Sequence, residues 1–475
     1  VAASILTTHH PGATMYSSRT RRAALGILFA CLSIAPFTAA HAPQPGGGKA
    51  DPTAPGKDWT PRVAAVNKRI DAEFASLEAL YKHLHANPEL AFSEEITAAR
   101  MAKELKALGF EVTTKVGVTG VVAVLKNGQG PTVLVRTDMD ALPVTETTGL
   151  PYASKVRTRD KEGREVGVMH ACGHDMHMTV FVGAARVLAS MKDQWQGTLV
   201  FIAQPAEEVG GGARRMIEDG LFKKFPRPDY CLAQHCDARK PIGHVSYAEG
   251  LMMANVDTVD ITVLGKGGHG SAPHTTIDPV VIAARIVLDL QTLVSRETQP
   301  GEPVVVTVGS IHGGTKHNII PSEVKLQLTV RTLKDKVRKD VLEGIQRIAK
   351  AAADAAKAPA PVITIEQDFF TPAVYNNGEL ARKTTAVFRE VLGKDKVHEV
   401  PPVMGGEDFG RYGREGIPIF FWFLGTMPPD QVAAAEAGGE PLPSLHSDKY
   451  FPQREPSIRT GVLTMSVAVL NLMGK

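Results

Sequence analysis

Eight consecutive residues, His170-Ala171-Cys172-Gly173-His174-Asp175-Met176-His177, hold three imidazoles, one thiol and one carboxylate. Thiolate and imidazole are the usual protein ligands of zinc and similar divalent cations, and Gly173 permits the tight backbone that gathers them. A lone histidine more often sits satisfied in a core or on a surface; this density points to a metal site. A second group, Gln204-Pro205-Ala206-Glu207-Glu208, follows the apolar run 198–203. Two adjacent carboxylates can face different partners, one on a cation and the other free to carry a proton. Asp138 and Asp140 follow the run 132–136, and His235 follows 230–233. His446 stands in Ser444-Leu445-His446-Ser447-Asp448, shortly before the last helical stretch. Acids, a thiol and imidazoles in this combination suit metal-assisted hydrolysis.

The elements that carry these groups are legible from periodicity. Val66, Ile70, Phe74, Leu77, Leu80 and Leu84 recur at helical spacing over 63–85, and the pattern stops before Pro88. Ser93, Glu94 and Glu95 open a second helix that ends at Gly109, with acids where the helix dipole favours them. The runs 121–125, 132–136, 198–203 and 230–233 read as strands, with helices over 176–190 and 212–218 between them. Strands alternating with helices predict an α/β layer with a mainly parallel sheet. In such sheets ligands bind at the carboxyl ends of the strands, so the chemical groups are expected to converge on one rim.

The pattern then changes. Residues 256–264 and 304–310 are β-rich, and Val324, Leu326, Leu328 and Val330 alternate with polar residues. Amphipathic helices over 279–293 and 335–356 separate them, which describes a small α+β domain with helices on one face of its sheet. After Asp368 the first pattern resumes, with a helix at 378–392, a strand at 417–424 and a final helix at 457–472. The expected organisation is a catalytic domain in two parts, 62–250 and 368–475, interrupted by an insert at 251–367. Trp422 among Phe420, Phe421 and Phe423 reads as buried strand, Met252 and Met253 as gap fillers, and Cys231 and Cys236 as packed thiols before a disulfide.

The chain has 475 residues, 53 Lys+Arg against 50 Asp+Glu, 43% hydrophobic and 22% charged residues. That balance excludes a disordered chain and gives no basic footprint for nucleic acid. Four cysteines exclude a small disulfide-stapled fold. Arg19, Arg21 and Arg22, the apolar run 23–35 and Ala40-His41-Ala42 have the layout of a secretory signal. The run is too short to span a membrane comfortably, and Pro36 ends it. Residues 1–42 are therefore read as a signal region, with Met15 an alternative start, and 43–61 as a Pro/Gly-rich linker. Thr20-Arg21-Arg22 with Leu25 also resembles a weak twin-arginine signal. The expected location is periplasmic or secreted.

Five motifs in order now carry a resemblance. They are His83-Leu84-His85-Ala86-Asn87-Pro88-Glu89-Leu90, Arg136-Thr137-Asp138-Met139-Asp140-Ala141-Leu142-Pro143, the 170–177 cluster, 204–208, and Gly405-Gly406-Glu407-Asp408-Phe409. Together they resemble the amidohydrolase branch of the aminoacylase–carboxypeptidase metallopeptidase family, over residues 63–473. That branch includes hippurate hydrolases, N-acyl-amino-acid amidohydrolases and auxin-conjugate hydrolases. The resemblance implies a di-metal peptidase-like catalytic domain with an inserted lid or dimerisation domain. It implies two divalent ions, zinc or manganese first, with cobalt and nickel compatible, held by Cys172, His174, Glu208, His235 and His446. Glu207 would be the catalytic base. Relatives outside the branch use His where Asp138 stands and Asp where Cys172 stands; Asp140 matches an acid behind the ligands and is counted with the catalytic set. His269, in Gly265-Lys266-Gly267-Gly268-His269-Gly270-Ser271, would polarise the scissile carbonyl, often from a neighbouring subunit, which implies a homodimer through the insert. Asn318, Arg331 and Gly406 would hold the substrate, and an Arg fork suits a carboxylate.

The expected activity is hydrolysis of the amide of an N-acyl amino acid or similar small conjugate. The alternative within the same chemistry is a dipeptidase or carboxypeptidase. Two readings from other classes stay open: a silent metal-binding protein, which leaves Glu207 without a task, and a thiol hydrolase with Cys172 as nucleophile and His174 as its base.

Overall fold

Strands buried on both faces need apolar residues at nearly every position, and that constraint builds the centre of this molecule. The computed structural model describes residues 58–366 and 369–475. The signal region expected at 1–42 lies outside the described residues, as does most of the expected linker. Among the described residues no helix is long and apolar enough to cross a membrane.

The main sheet has eight strands: β1 (Glu111–Val116), β2 (Gly120–Asn127), β3 (Thr132–Asp138), β4 (Gly197–Gln204), β5 (Tyr230–Pro241), β6 (Val245–Tyr247), β7 (Val397–Glu399) and β8 (Ile419–Met427). Their spatial order is β1-β2-β4-β3-β5-β8-β6-β7. The four central strands β4, β3, β5 and β8 run parallel, as expected, while β1/β2, β2/β4 and β8/β6 pair antiparallel. Alternate side chains feed two cores. Leu199, Phe201, Phe420, Trp422 and Leu424 face one, and Val200, Ile202, Ile419, Phe421 and Phe423 face the other. Trp422 is thus a core residue. Cys231 and Cys236 are free and belong to cores on opposite faces of the sheet, so they cannot pair.

The first core is roofed by α1 (Thr60–Ala86), α2 (Glu95–Ala107), α3 (His174–Ser190) and the C-terminal helix Arg454–Met473, while Gly212–Glu218 contributes to the second core. Three expectations shift. Thr60 and Pro61, read as the end of the linker, already belong to α1, with proline in the first turn where its missing N–H costs nothing. The strand expected over 230–233 continues to Pro241, so His235 lies inside it and not beyond its end. β1 was not foreseen, because only Val116 of its six residues is buried and an exposed edge strand carries no alternating pattern.

A second, antiparallel sheet has the strand order Val304–Gly313, Glu323–Thr332, Asn255–Leu264, Val362–Ile365. Val324, Leu326, Leu328 and Val330 are buried against Ile282, Ile286 and Leu290 of Pro279–Thr292 and Ile345 and Ile348 of Asp335–Ala355. The crossing into this sheet differs from the expected boundary at 251. Gly250–Met253 pairs with Val374–Asn376, and Met252 and Met253 pack in the second core of the main sheet. The return boundary at 367/368 falls on residues outside the description.

Helix α3 and the C-terminal helix approach closely at Gly183 and Gly461. A Cβ on Gly183 would lie 2.4 Å from Val462 Cγ2, and one on Gly461 2.6 Å from Val180 Cγ2. Gly183→Ala gains up to about 1 kcal/mol of helix propensity but overpacks a rigid contact, which costs about 1–3 kcal/mol. The expected net effect is destabilisation, read as a lower urea midpoint at unchanged slope. A raised midpoint would show that the two helices can move apart.

Candidate metal centre and active site

The parallel strands β3 and β4 end side by side, with Asp138 opposite Gln204. The chain beyond them supplies Asp140 from one strand and Glu207 and Glu208 from the other. Next to them α3 begins at His174, after Gly173 in the left-handed conformation at φ 82°. A Cβ on Gly173 would meet Cys236 Sγ at 3.0 Å, so glycine is what lets the thiol-bearing turn close on β5. His235 enters from β5, and His446 from a loop whose amide donates to Ala171 O at 2.8 Å.

Hydrogen bonds aim the imidazoles. His174 Nδ1 donates to the Asp140 carbonyl at 2.8 Å, and His235 Nδ1 to the Cys236 carbonyl at 2.7 Å. Both rings therefore turn Nε2 inward, as backbone acceptors do for metal-ligating histidines. His235 Nε2 lies 3.4 Å from Cys172 Sγ. His174 Nε2 is buried without a hydrogen-bond partner, 3.8 Å from Asp138 Oδ2, 3.9 Å from Glu207 Oε2 and 3.8 Å from Glu208 Oε1. Glu208 Oε1 is likewise orphaned, and its Oε2 is 3.4 Å from His446 Nε2. Orphaned buried donors and acceptors are costly unless something joins them. The ligand atoms of Cys172, His174 and His235 all lie within 4.8 Å of one another, as do those of Cys172, Glu208 and His446. These two triads share the thiol, and their donor chemistry fits divalent cations.

The same spacing brings Asp138, His174 and His177 together, but His177 is occupied at both nitrogens. Its Nε2 accepts the Cys236 amide hydrogen at 2.8 Å, which puts the ring proton on Nδ1, 2.7 Å from Asp138 Oδ1. His177 ties β3 to β5 instead of offering a ligand. Asp138 Oδ2 accepts from Arg136 Nη1 at 2.6 Å. Arg136 Nη2 reaches Glu407 Oε1 at 2.8 Å and Asp408 Oδ1 at 3.1 Å, and all four side chains are buried.

Asp140, counted with the catalytic residues on sequence, takes a different part. Its Oδ1 accepts the Glu207 amide hydrogen and its Oδ2 the Glu208 amide hydrogen, both at 3.0 Å. It is not among the residues lining the cavity beside Glu207 and Glu208, and it shapes the turn that carries them.

Electrostatics follow from this crowding. Burial opposes a charged imidazole, yet Asp138, Asp140 and Glu208 outweigh it and push His174 up to about 10. Burial, against the pull of His174, raises Glu208 to about 7. Glu207 is driven well above the usual carboxylate range by burial and by Glu407, Glu208 and Asp408. A divalent cation would answer the same negative field. Burial, Glu208 and Glu207 push the Cys172 thiol far up, so the protein alone disfavours a thiolate. A thiol nucleophile needs the opposite environment, and the imidazole hydrogen-bonded to this thiol is His235, not His174, the base that a thiol hydrolase would use.

A cavity of about 320 Å³ opens onto Cys172, Glu207, Glu208, His235 and His446. Arg331 and Gly406 line its wall, as do Val256, Thr258, Glu366, Phe369, Phe370 and Thr371, none of which was singled out on sequence. Arg331 Nη1 donates to Met404 O at 3.0 Å, which anchors the fork at the rim. His269 and Asn318 are not brought there. Both are exposed, near each other where Gly268–His269 pairs with Ile319–Ile320, and neither lines the cavity. A wider groove of about 860 Å³ beside Tyr375 and Arg414 shares no lining residue with the metal cluster. Arg136 and Glu407 also escaped the sequence reading as site residues; a charge inside an apolar strand was the available signal, because a buried arginine needs acidic partners.

Residues 134–437 match peptidase family M20/M25/M40. The chain is 38% identical to thermostable carboxypeptidase 2 of Saccharolobus solfataricus over 398 residues, covering 83% of this chain and 94% of that protein. It is 41% identical to hippurate hydrolase of Campylobacter jejuni over 338 residues, 70% of this chain and 84% of that protein. Among solved structures, the Bacillus subtilis YXEP protein, a dinuclear metal binding peptidase, superposes with a TM-score of 0.67 at 29% identity, covering 85% of this chain and 100% of that one. With these matches and a cavity that joins ligand-type side chains to a pair of glutamates, the chain belongs to peptidase family M20/M25/M40 and is a hydrolase acting on amide bonds.

Proposed function

We propose that this hydrolase cleaves the amide of N-acyl amino acids or similar small conjugates, with a pair of divalent metal ions and Glu207 as general base. The observation that carries the reading is one cavity lined by Cys172, Glu208, His235 and His446, with Glu207 beside them and Arg331 on the wall. His174 completes the donor set from beneath. Zinc or manganese suits these ligands; cobalt and nickel are also compatible. Bound cations supply Lewis acidity and a more acidic water. Glu207, whose proton affinity is raised by burial and neighbouring carboxylates, accepts the proton of the attacking water and returns it to the leaving amine. Arg331 grips the free carboxylate beside the scissile amide.

The named activities of the relatives support this division of labour. One relative is named a carboxypeptidase and the other a hippurate hydrolase, and hippurate is itself an N-acyl amino acid. A dipeptidase or carboxypeptidase with the same centre is the competing reading, and a preference for substrates with a free α-amino group would favour it. His269 and Asn318 would serve the cavity of a second copy, which makes a homodimer through the second sheet part of the proposal. The signal-like segment 19–42 supports action outside the cytoplasm.

Glu207→Gln is expected to keep metal and fold while turnover falls by a factor on the order of 10² or more. Glu208→Gln and Cys172→Ser should instead lose metal, measured by elemental analysis after dialysis. Normal turnover in Glu207→Gln would remove the base, and full metal occupancy in Cys172→Ser would remove the thiol ligand.

Arg331→Ala is expected to lower kcat/KM on an N-acyl amino acid roughly ten- to hundredfold, the value of a charge-assisted hydrogen bond of about 1.5–3 kcal/mol. The matched amino-acid amide, which lacks that charge, should be little affected. His269→Ala should slow both, because its partner is the carbonyl they share. Equal losses on acid and amide in Arg331→Ala would eliminate the carboxylate grip.

A further inference from the structure

Three successive amides in the turn that carries the glutamates donate to buried carboxylates. Glu207 and Glu208 use Asp140, whereas the Ala206 amide donates to Glu94 Oε1 at 2.9 Å. Ala206 is fully buried and left-handed at φ 52°, a conformation in which an L-residue's Cβ crowds its own backbone. Its carbonyl is occupied as well, accepting the amide hydrogens of Gly211 and Gly212 at 3.1 Å. Glu94 itself comes from a distant stretch, just ahead of α2, and is fully buried. Its Oε1 also accepts the amide hydrogen of Phe92, another left-handed residue at φ 63°, at 2.9 Å. Its Oε2 accepts from Thr119 Oγ1 at 2.6 Å. One carboxylate oxygen thus pins two strained backbone positions, one of them adjacent to Glu207. Glu94 touches neither the cavity nor any of the ligand side chains.

We propose that Glu94 is a positioning residue for hydrolysis, holding Ala206 left-handed so that Glu207 stays directed into the cavity. The inference rests on the reading of Glu207 as the base. What the turn requires from Glu94 is an acceptor oxygen at the right reach. Its charge is secondary, since both partners of Oε1 are neutral backbone amides. Glutamine preserves that reach and gives up the charge; aspartate preserves the charge and withdraws the oxygen by one methylene.

The test measures kcat, KM and metal content for Glu94→Gln, Glu94→Asp, Glu94→Asp combined with Ala206→Gly, and Glu207→Gln as reference. Glu94→Asp is expected to lose roughly ten- to hundredfold in kcat, the scale of a small misplacement of a catalytic group, with KM and metal content little changed. Glu94→Gln should stay near the original kcat. Ala206→Gly should restore most of the kcat lost in Glu94→Asp, because glycine takes the left-handed conformation without the Cβ penalty. An unimpaired Glu94→Asp, a Glu94→Gln as impaired as Glu94→Asp, or a loss that Ala206→Gly does not restore would each overturn the proposal. The two readings fail separately: normal turnover in Glu207→Gln removes the base, while a slow Glu207→Gln beside a normal Glu94→Asp removes only the positioning role.

Discussion

Arg136 sits wholly inside the protein with every nitrogen of its guanidinium occupied. Nε donates to Gln204 Oε1, Nη1 to Asp138, and Nη2 to Glu407 and Asp408. A buried guanidinium is tolerable only with such partners, and removing one from a pair of this kind costs about 3–5 kcal/mol. Each partner is tied onward. Asp138 accepts from His177, Asp408 from the Gln204 amide and the Ala213 backbone, and Glu407 from the Phe409 amide. The network thereby locks β3, β4, the start of the helix Gly212–Glu218 and the 405–409 loop into one arrangement beneath the cavity.

It also sets the sign of the field above it. Three carboxylates share one guanidinium, and Glu207, Glu208 and Asp140 lie close by. The excess negative charge raises His174 to about 10 against its burial, and burial together with that charge pushes the Cys172 thiol far up. A site with that balance is built to receive positive charge, and backbone carbonyls that hold Nδ1 of His174 and His235 leave their Nε2 atoms facing it. A cysteine in such surroundings suits a ligand's part, taken up once a cation offsets the carboxylates. It does not act as a nucleophile on its own.

The second sheet contributes unequally. Arg331 reaches the cavity because its strand, Glu323–Thr332, runs toward the crossing point and the Met404 carbonyl holds the guanidinium at the rim. His269 and Asn318 stay exposed at the short Gly268–His269 and Ile319–Ile320 ladder. One chain therefore assembles the ligand-type cluster, the glutamates and the arginine, and leaves His269, proposed to polarise the carbonyl, outside its own cavity.

Local information in the sequence determined a good deal. Apolar periodicity placed the helices and the buried parallel strands, since side-chain spacing along one element depends on that element alone. The density of ligand-type residues at 170–177 and the pair Glu207-Glu208 point to metal-assisted hydrolysis by residue type alone. The tertiary structure decided the rest. Asp140 and Glu207 lie 67 residues apart and Arg136 and Glu407 lie 271 apart, so no window of sequence contains either pair. The sequence placed Glu94 at a helix start, where an acid suits the helix dipole; packing turned its carboxylate inward onto Ala206. His177 belongs by sequence to the ligand-dense run 170–177, yet it is a link between strands because the Cys236 amide occupies its Nε2 and Asp138 its Nδ1. Residue type and spacing determine what a group is able to do. Which of those tasks it performs depends on the partners that long-range packing brings within hydrogen-bond distance.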